Sequence, residues 1–177
     1  MRWLRLAWSS ILIWGCSPHL PEQDEIEKLR QRVRVLLNTH GSQSSAFMST
    51  ALELARVEEN FIRRYPNHPE VPCLLIEAAE IYGTYFGDAQ KAVTLLREVD
   101  RRFRQKSPLA PKALFYEAFL YETMLKDTAT ARHRYEDFLQ FYPDHELAKD
   151  ARLSLQNLGK PLDKVLEEVL RSHSPTQ

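Results

Sequence analysis

The sequence predicts an all-α protein, and three observations carry that expectation. One set of positions is written three times: Leu54, Glu58, Phe61 and Tyr65; then Ala92, Leu96, Val99 and Phe103; then Ala131, Tyr135, Phe138 and Tyr142. Steps of four, three and four keep each set on one side of an α-helix. Successive copies lie 38 and then 39 residues apart, and self-similarity at such a period means a stacked array of helical units. Third, the 177 residues include only five glycines, and Leu, Ala, Glu, Arg and Lys dominate away from the ends. A hydrophobic content of 44% is enough to build a core.

The chain opens with Arg2 and Arg5, followed by an apolar stretch, 6–14, that Ser9 and Ser10 interrupt. A spanning helix needs about 20 apolar residues, so this stretch has the proportions of a secretory h-region instead. It closes on Ile13-Trp14-Gly15-Cys16, which resembles the bacterial lipobox at Ile13 and Gly15 and departs from it at Trp14. The resemblance implies cleavage after Gly15 and acylation of Cys16. Each buried CH₂ of such an anchor is worth about 0.8 kcal/mol. By the sorting rule of enteric bacteria, Ser17 in place of aspartate implies the outer membrane, facing the periplasm. Residues 1–15 are thus expected to be a signal peptide. Residues 16–21, with Pro18 and Pro21, read as a lipidated tether that cannot start a long helix.

Residues 22–171 are expected to form the array. A helix over 22–38 carries the stripe Ile26, Leu29, Val33, Leu36 and Leu37, with Glu22, Asp24, Glu25 and Glu27 at its favourable end. A polar loop, 39–45, holds Gly41 as a stop signal. The second helix, 46–64, ends at Tyr65-Pro66. A third begins near Pro72 and runs to about 86, where Gly87-Asp88 breaks it. The fourth, fifth and sixth helices are read as 89–105, 109–126 and 128–142, with Asp88 and Asp127 capping the helices they precede. Ala79 with Tyr82 and Ala118 with Tyr121 share one spacing, a small residue one turn before a ring, which lets helices approach and then wedges them. Leu147, Ala148 and Ala151 restart the pattern, and Gly159-Lys160-Pro161 ends it. A short amphipathic helix over 162–171 would cover the last layer before a polar tail, 172–177.

Charge narrows the function. There are 24 basic and 24 acidic residues, and no basic block or stripe is read, which sets nucleic acid aside as the main partner. Cys73 heads the apolar run Cys73-Leu74-Leu75-Ile76 and reads as a small buried residue, not as a disulfide partner of Cys16. His68 and His145 each stand three residues after an equivalent tyrosine and read as turn residues, not metal ligands. His133 and Glu136 sit one turn apart with no further ligands indicated, so no metal is expected. Glu58, Glu59, Glu77 and Glu80 read as ordinary surface acids. No nucleophile elbow, phosphate loop or His-Glu-x-x-His occurs, so neither an enzyme nor a cofactor is expected.

Ala131, Tyr135, Phe138 and Pro143 together are similar to the second-helix signature of the tetratricopeptide repeat. The period is longer than that repeat's roughly 34 residues, and the first-helix tryptophan is missing. The resemblance implies antiparallel helix hairpins stacked as a short right-handed solenoid, with the first helix of each pair facing a groove. A lipobox ahead of Tyr65-Pro66-Asn67-His68 and Tyr142-Pro143-Asp144-His145 looks like the bacterial outer-membrane repeat lipoproteins. That group includes the lipoprotein of the β-barrel assembly machinery and the repeat protein beside the Tol–Pal system. It implies a protein–protein interaction scaffold for another envelope protein or peptide. Among the aromatics, Tyr82, Tyr116 and Tyr121 are the expected partner contacts, because tyrosine buries much area at low entropic cost. The alternative is an accessory lipoprotein that binds cell-wall glycan or a small solute.

Overall fold

A computed structural model describes residues 19–161 and 163–164. Among these the chain is helical throughout, with no strand. The α-helices are α1 (Pro21–His40), α2 (Ser45–Arg64), α3 (Val71–Glu80), α4 (Ala89–Phe103), α5 (Ala110–Thr123), α6 (Thr128–Phe141) and α7 (Ala148–Asn157). A π-helical turn, Ile81–Tyr85, extends α3. No helix among the described residues is long and apolar enough to cross a membrane. Of the closing helix expected over 162–171 only residues 163–164 are described, both helical; the rest of it, like Cys16 and the leader, lies outside the described residues.

Local chemistry sets the boundaries. Ser44 caps α2 by accepting from Phe47 N at 3.2 Å. Asp88 accepts from Lys91 N and Asp127 from Thr130 N, both at 3.0 Å. The turns before those two caps match as well: Asp88 N donates to Tyr82 O and Asp127 N to Tyr121 O, each at 2.9 Å. Both turns need a left-handed residue, supplied by Gly87 at φ +67° and by Lys126 at φ +56°. Gly41, at φ +75°, ends α1 with its N–H on Leu37 O. Pro21 corrects the expected tether. It is the first residue of α1, a position where the missing N–H costs nothing. Leu20 N donates to Gln23 Oε1 beside it.

The turns after α2, α4 and α6 are built alike. His68 Nδ1 accepts from Glu70 N at 3.3 Å, Ser107 Oγ from Leu109 N at 3.2 Å, and His145 Nδ1 from Leu147 N at 3.2 Å. The two histidine rings also pack edge-on against Phe61 and Phe138. They are turn residues, as expected, and Ser107 fills the same role without a ring.

Each helix packs chiefly on its neighbours in the chain, α1 on α2 through to α6 on α7. One apolar core runs the length of the array. Ala79, Ala92, Ala118 and Ala131 are fully buried, and they permit the close crossings. Tyr135 and Phe138 are buried with them, and Phe115 meets both rings edge-on.

Two expectations fail here. Cys73 is exposed, because α3 turns that side outward while Leu74, Leu75 and Ile76 fill the core. Glu58 is no surface acid but completely buried. The repeat register had already placed it where the later copies carry Leu96 and Tyr135.

Candidate functional site

Alternate helices, α1, α3 and α5, share one side of the array and line a groove. Its first part is a recess of about 460 Å³ between Val33, Arg34 and Leu37 of α1, Ile81, Thr84 and Tyr85 of the π turn, and Tyr116 of α5. A second recess, about 410 Å³, shares Arg30, Glu77 and Glu80 and continues to Cys73, Leu109 and Lys112. The register makes these positions equivalent. Adding 39 to Cys73, Glu77, Glu80 and Thr84 gives Lys112, Tyr116, Phe119 and Thr123. Phe119 is exposed and stacks on Tyr116 with centroids 6.5 Å apart. The π turn brings the walls together: a Cβ on Gly83 would lie 3.0 Å from the Tyr116 hydroxyl and 3.4 Å from Ala92 Cβ. A side chain at 83 would press on the Tyr116 hydroxyl and shift it by a few tenths of an ångström, and Thr84 Oγ1 lies 3.4 Å from that hydroxyl.

Ion pairs fix the walls. Arg30 donates to Glu77 through Nε, at 2.8 Å to Oε1, and Nη2, at 2.6 Å to Oε2, which crosses from α1 to α3. Its Nη1 holds Glu27 at 2.7 Å. Lys112 reaches Glu80 at 2.7 Å and ties α5 to α3. Burial works to raise the Glu77 pKa, but the Arg30 guanidinium overcomes it and holds that carboxyl below its usual range. Behind this pair lies Glu58. As a carboxylate its two oxygens have no hydrogen-bond donor, and Arg30 Nη2 stands 3.8 Å from Oε1; a proton on Glu58 is shared with the neighbouring Glu77 carboxylate. Burial pushes the Glu58 pKa up to about 11, with Glu77 adding to the shift and Arg30 opposing it. A shift in that direction favours the protonated, uncharged side chain.

The three expected contact tyrosines do not come together. Tyr116 lines the groove, half-buried, with its hydroxyl pKa raised by that burial. Tyr82 turns toward α2 and α4 instead. Its hydroxyl donates to Glu59 Oε1 at 2.7 Å, and Lys91 Nζ lies 5.4 Å from its ring centroid. Burial and that carboxylate push the Tyr82 pKa up to about 12. Tyr121 is buried, with Arg97 at 5.5 Å from its ring. The spacing rule that paired Ala79 with Tyr82 already marked these two rings as wedges. His133 is exposed, 3.5 Å from Asp137, on a solvated face.

Reading the sequence missed two features. One is a buried ionic network joining α4, α5 and α6. Glu117 accepts from Arg97 Nε and from Arg134 Nη2, both at 2.9 Å. Arg134 also holds Asp100 at 3.0 Å and Asp137 at 2.7 Å, while Arg104 grips Asp100 through two bonds. The other is a basic run: residues 101–106 hold Arg101, Arg102, Arg104 and Lys106 with no acid among them. A net charge of zero concealed it. Among the described residues no cluster of His, Cys, Asp and Glu is arranged to hold a metal ion. Comparison with protein-family models, with curated proteins and with solved structures finds no match for this chain.

Proposed function

We propose that this chain is a lipid-anchored, tetratricopeptide-like right-handed solenoid that binds another envelope protein or peptide along the α1–α3–α5 groove and performs no chemistry itself. The observation that carries the reading is the groove: a continuous, partly apolar channel whose walls are locked by cross-helix ion pairs. A wall that is already ordered loses little entropy when an extended segment docks. Tyr116 and its stacked neighbour Phe119 offer the apolar contacts, and Thr84 and Arg34 offer polar ones. The anchor would hold this surface at the outer membrane, on the periplasmic side. The second reading, cell-wall glycan, is favoured only by that stacked aromatic pair; calorimetry with muropeptides would show binding lost in Tyr116→Ala.

The test is a photo-crosslinking amino acid placed in cells at Thr84, inside the groove, and separately at Gln90, exposed on α4. A discrete adduct with one envelope protein is expected from Thr84 and not from Gln90. Equal adducts from both positions, or none, would remove the groove reading. The anchor is tested by Cys16→Ser, expected to move the protein into the soluble fraction; an unchanged membrane distribution would refute acylation.

A further inference from the structure

We propose that the edge of the array formed by the start of α1 and the ends of α2, α4 and α6 docks on an anionic lipid surface. The inference rests on the acylation of Cys16 proposed above. Only Ser17 and Pro18 separate Cys16 from His19, where the described chain begins. Three residue steps span at most about 11 Å, so an acylated Cys16 would bring this edge close to the membrane.

The edge is continuous. Glu22 of α1 accepts from Arg64 Nη1 at 2.6 Å and from the Tyr65 hydroxyl at 3.1 Å, at the end of α2. Arg102 donates to Pro66 O in the next turn. Tyr142, at the end of α6, donates to Arg104 O at 3.1 Å. The basic run 101–106 sits in the middle of this row, around a shallow recess of about 480 Å³. Arg102 and Arg104 are held by Glu98 and Asp100. Arg101 and Lys106 are exposed and make no salt bridge with the described residues, so their charge is uncompensated. Beside them Phe141 is 44% exposed, with the Arg104 guanidinium 4.2 Å from its ring centroid. Glu22 and Asp24 are engaged by Arg64 and His19, whereas Glu25, Asp144 and Glu146 on the same edge are exposed and outside any ion pair among the described residues, so the cationic part of the edge is the run 101–106 itself.

Two free cations, and an exposed phenyl ring under the neighbouring Arg104, on the edge that a short tether brings down, match a lipid surface. Headgroup phosphates attract the cations and the interfacial zone accepts the ring. Docked this way, the helices stand on end and the groove runs along the membrane surface.

The test uses the full-chain protein, purified from membranes and reconstituted in phosphatidylcholine vesicles with and without phosphatidylglycerol. Amide hydrogen exchange over 101–106 should slow several-fold when the anionic lipid is present and not in phosphatidylcholine alone, because headgroup phosphates hold the two free cations at the surface. Arg101→Glu with Lys106→Glu should abolish that difference while leaving the circular dichroism unchanged, since neither residue supports the fold. High salt should abolish it too. Mass spectrometry of the N-terminal peptide reports acylation separately. Acylated Cys16 with identical exchange in both vesicles would overturn the docking face and leave the anchor standing. Unmodified Cys16 would remove the distance argument, and both readings with it. Equal protection by soluble polyphosphate without vesicles would assign the run to a dissolved polyanion and overturn the proposal.

Discussion

Glu58 and Glu117 are both fully buried, one toward each end of the array, and their surroundings differ completely. Glu117 sits between Arg97 and Arg134 and anchors a network that spans α4, α5 and α6. Glu58 has no donor to meet a negative charge, because the one guanidinium nearby is committed to Glu77, and only as a protonated acid does it find a partner, the Glu77 carboxylate. Each oxygen of Glu117 is met by a guanidinium, Oε1 by Arg97 and Oε2 by Arg134. Glu58 stays neutral because ionisation behind the groove wall would be met by almost nothing. Burial alone therefore does not decide what a carboxyl does; the supply of free cations does. One acid holds three helices together. The other is a weak point in the layer beneath the groove, at a position where the later repeats have Leu96 and Tyr135.

The largest expected effect breaks the paired site. Glu117→Ala takes one of the three carboxylates that hold Arg134, leaving Asp100 and Asp137, and should cost about 2–4 kcal/mol, measured by urea unfolding. A loss under about 1 kcal/mol would mean that the network is held from elsewhere. Next, Glu58→Leu restores the residue type of the second repeat and removes a buried carboxyl that no cation compensates. It should stabilise by about 1–3 kcal/mol in the same assay, the opposite sign for the same kind of deletion.

A pH series sharpens the contrast. The folded-state pKa of Glu58 is raised, so its stabilising contribution is complete below about 4.5, the ordinary value. It then falls as the unfolded chain ionises, up to about 11, the folded value. Glu77 and Asp100, held below their usual range, work the other way and lose their contribution as pH falls. The difference between wild type and Glu58→Gln isolates the first effect. The variant should gain on the wild type steadily from pH 5 to pH 9, and parallel curves would show that Glu58 is ionised after all.

The smallest effect compares the two hairpin turns. Lys126 adopts the left-handed conformation that Gly87 adopts at the equivalent position. Lys126→Gly should therefore stabilise by up to about 1 kcal/mol, and Gly87→Ala should cost about as much. Thermal unfolding of the pair would show whether the two turns are interchangeable.

Much of the fold was legible because it repeats. Asp88 and Asp127 were identifiable as caps, Ala92 and Ala131 as crossing points, and His68 and His145 as turn residues. Each judgement had a second copy to check it against. The π turn at Ile81–Tyr85 was not legible, since its sequence continues a helical pattern and only Gly83 hints at the close approach of Tyr116. The contact tyrosines were half legible. The alanine–tyrosine spacing makes Tyr82 and Tyr121 wedges between helices, and a ring used as a wedge is not free to line a surface. The basic run was plain in the letters and hidden by averaging charge over the chain.

What the sequence determined by itself is the periodic part: which residues are helical, where the helices stop, and which face of each is apolar. These follow from near-neighbour geometry, in which a residue's options are set by those three and four positions away. Tertiary structure alone decided which acids find cations. Arg30 meets Glu77 across 47 positions, Arg97 meets Glu117 across 20 and Arg134 meets Glu117 across 17. No local pattern encodes such meetings, because they depend on how one hairpin is set down upon the next. The state of Glu58 and the shape of the groove in front of it are consequences of that stacking.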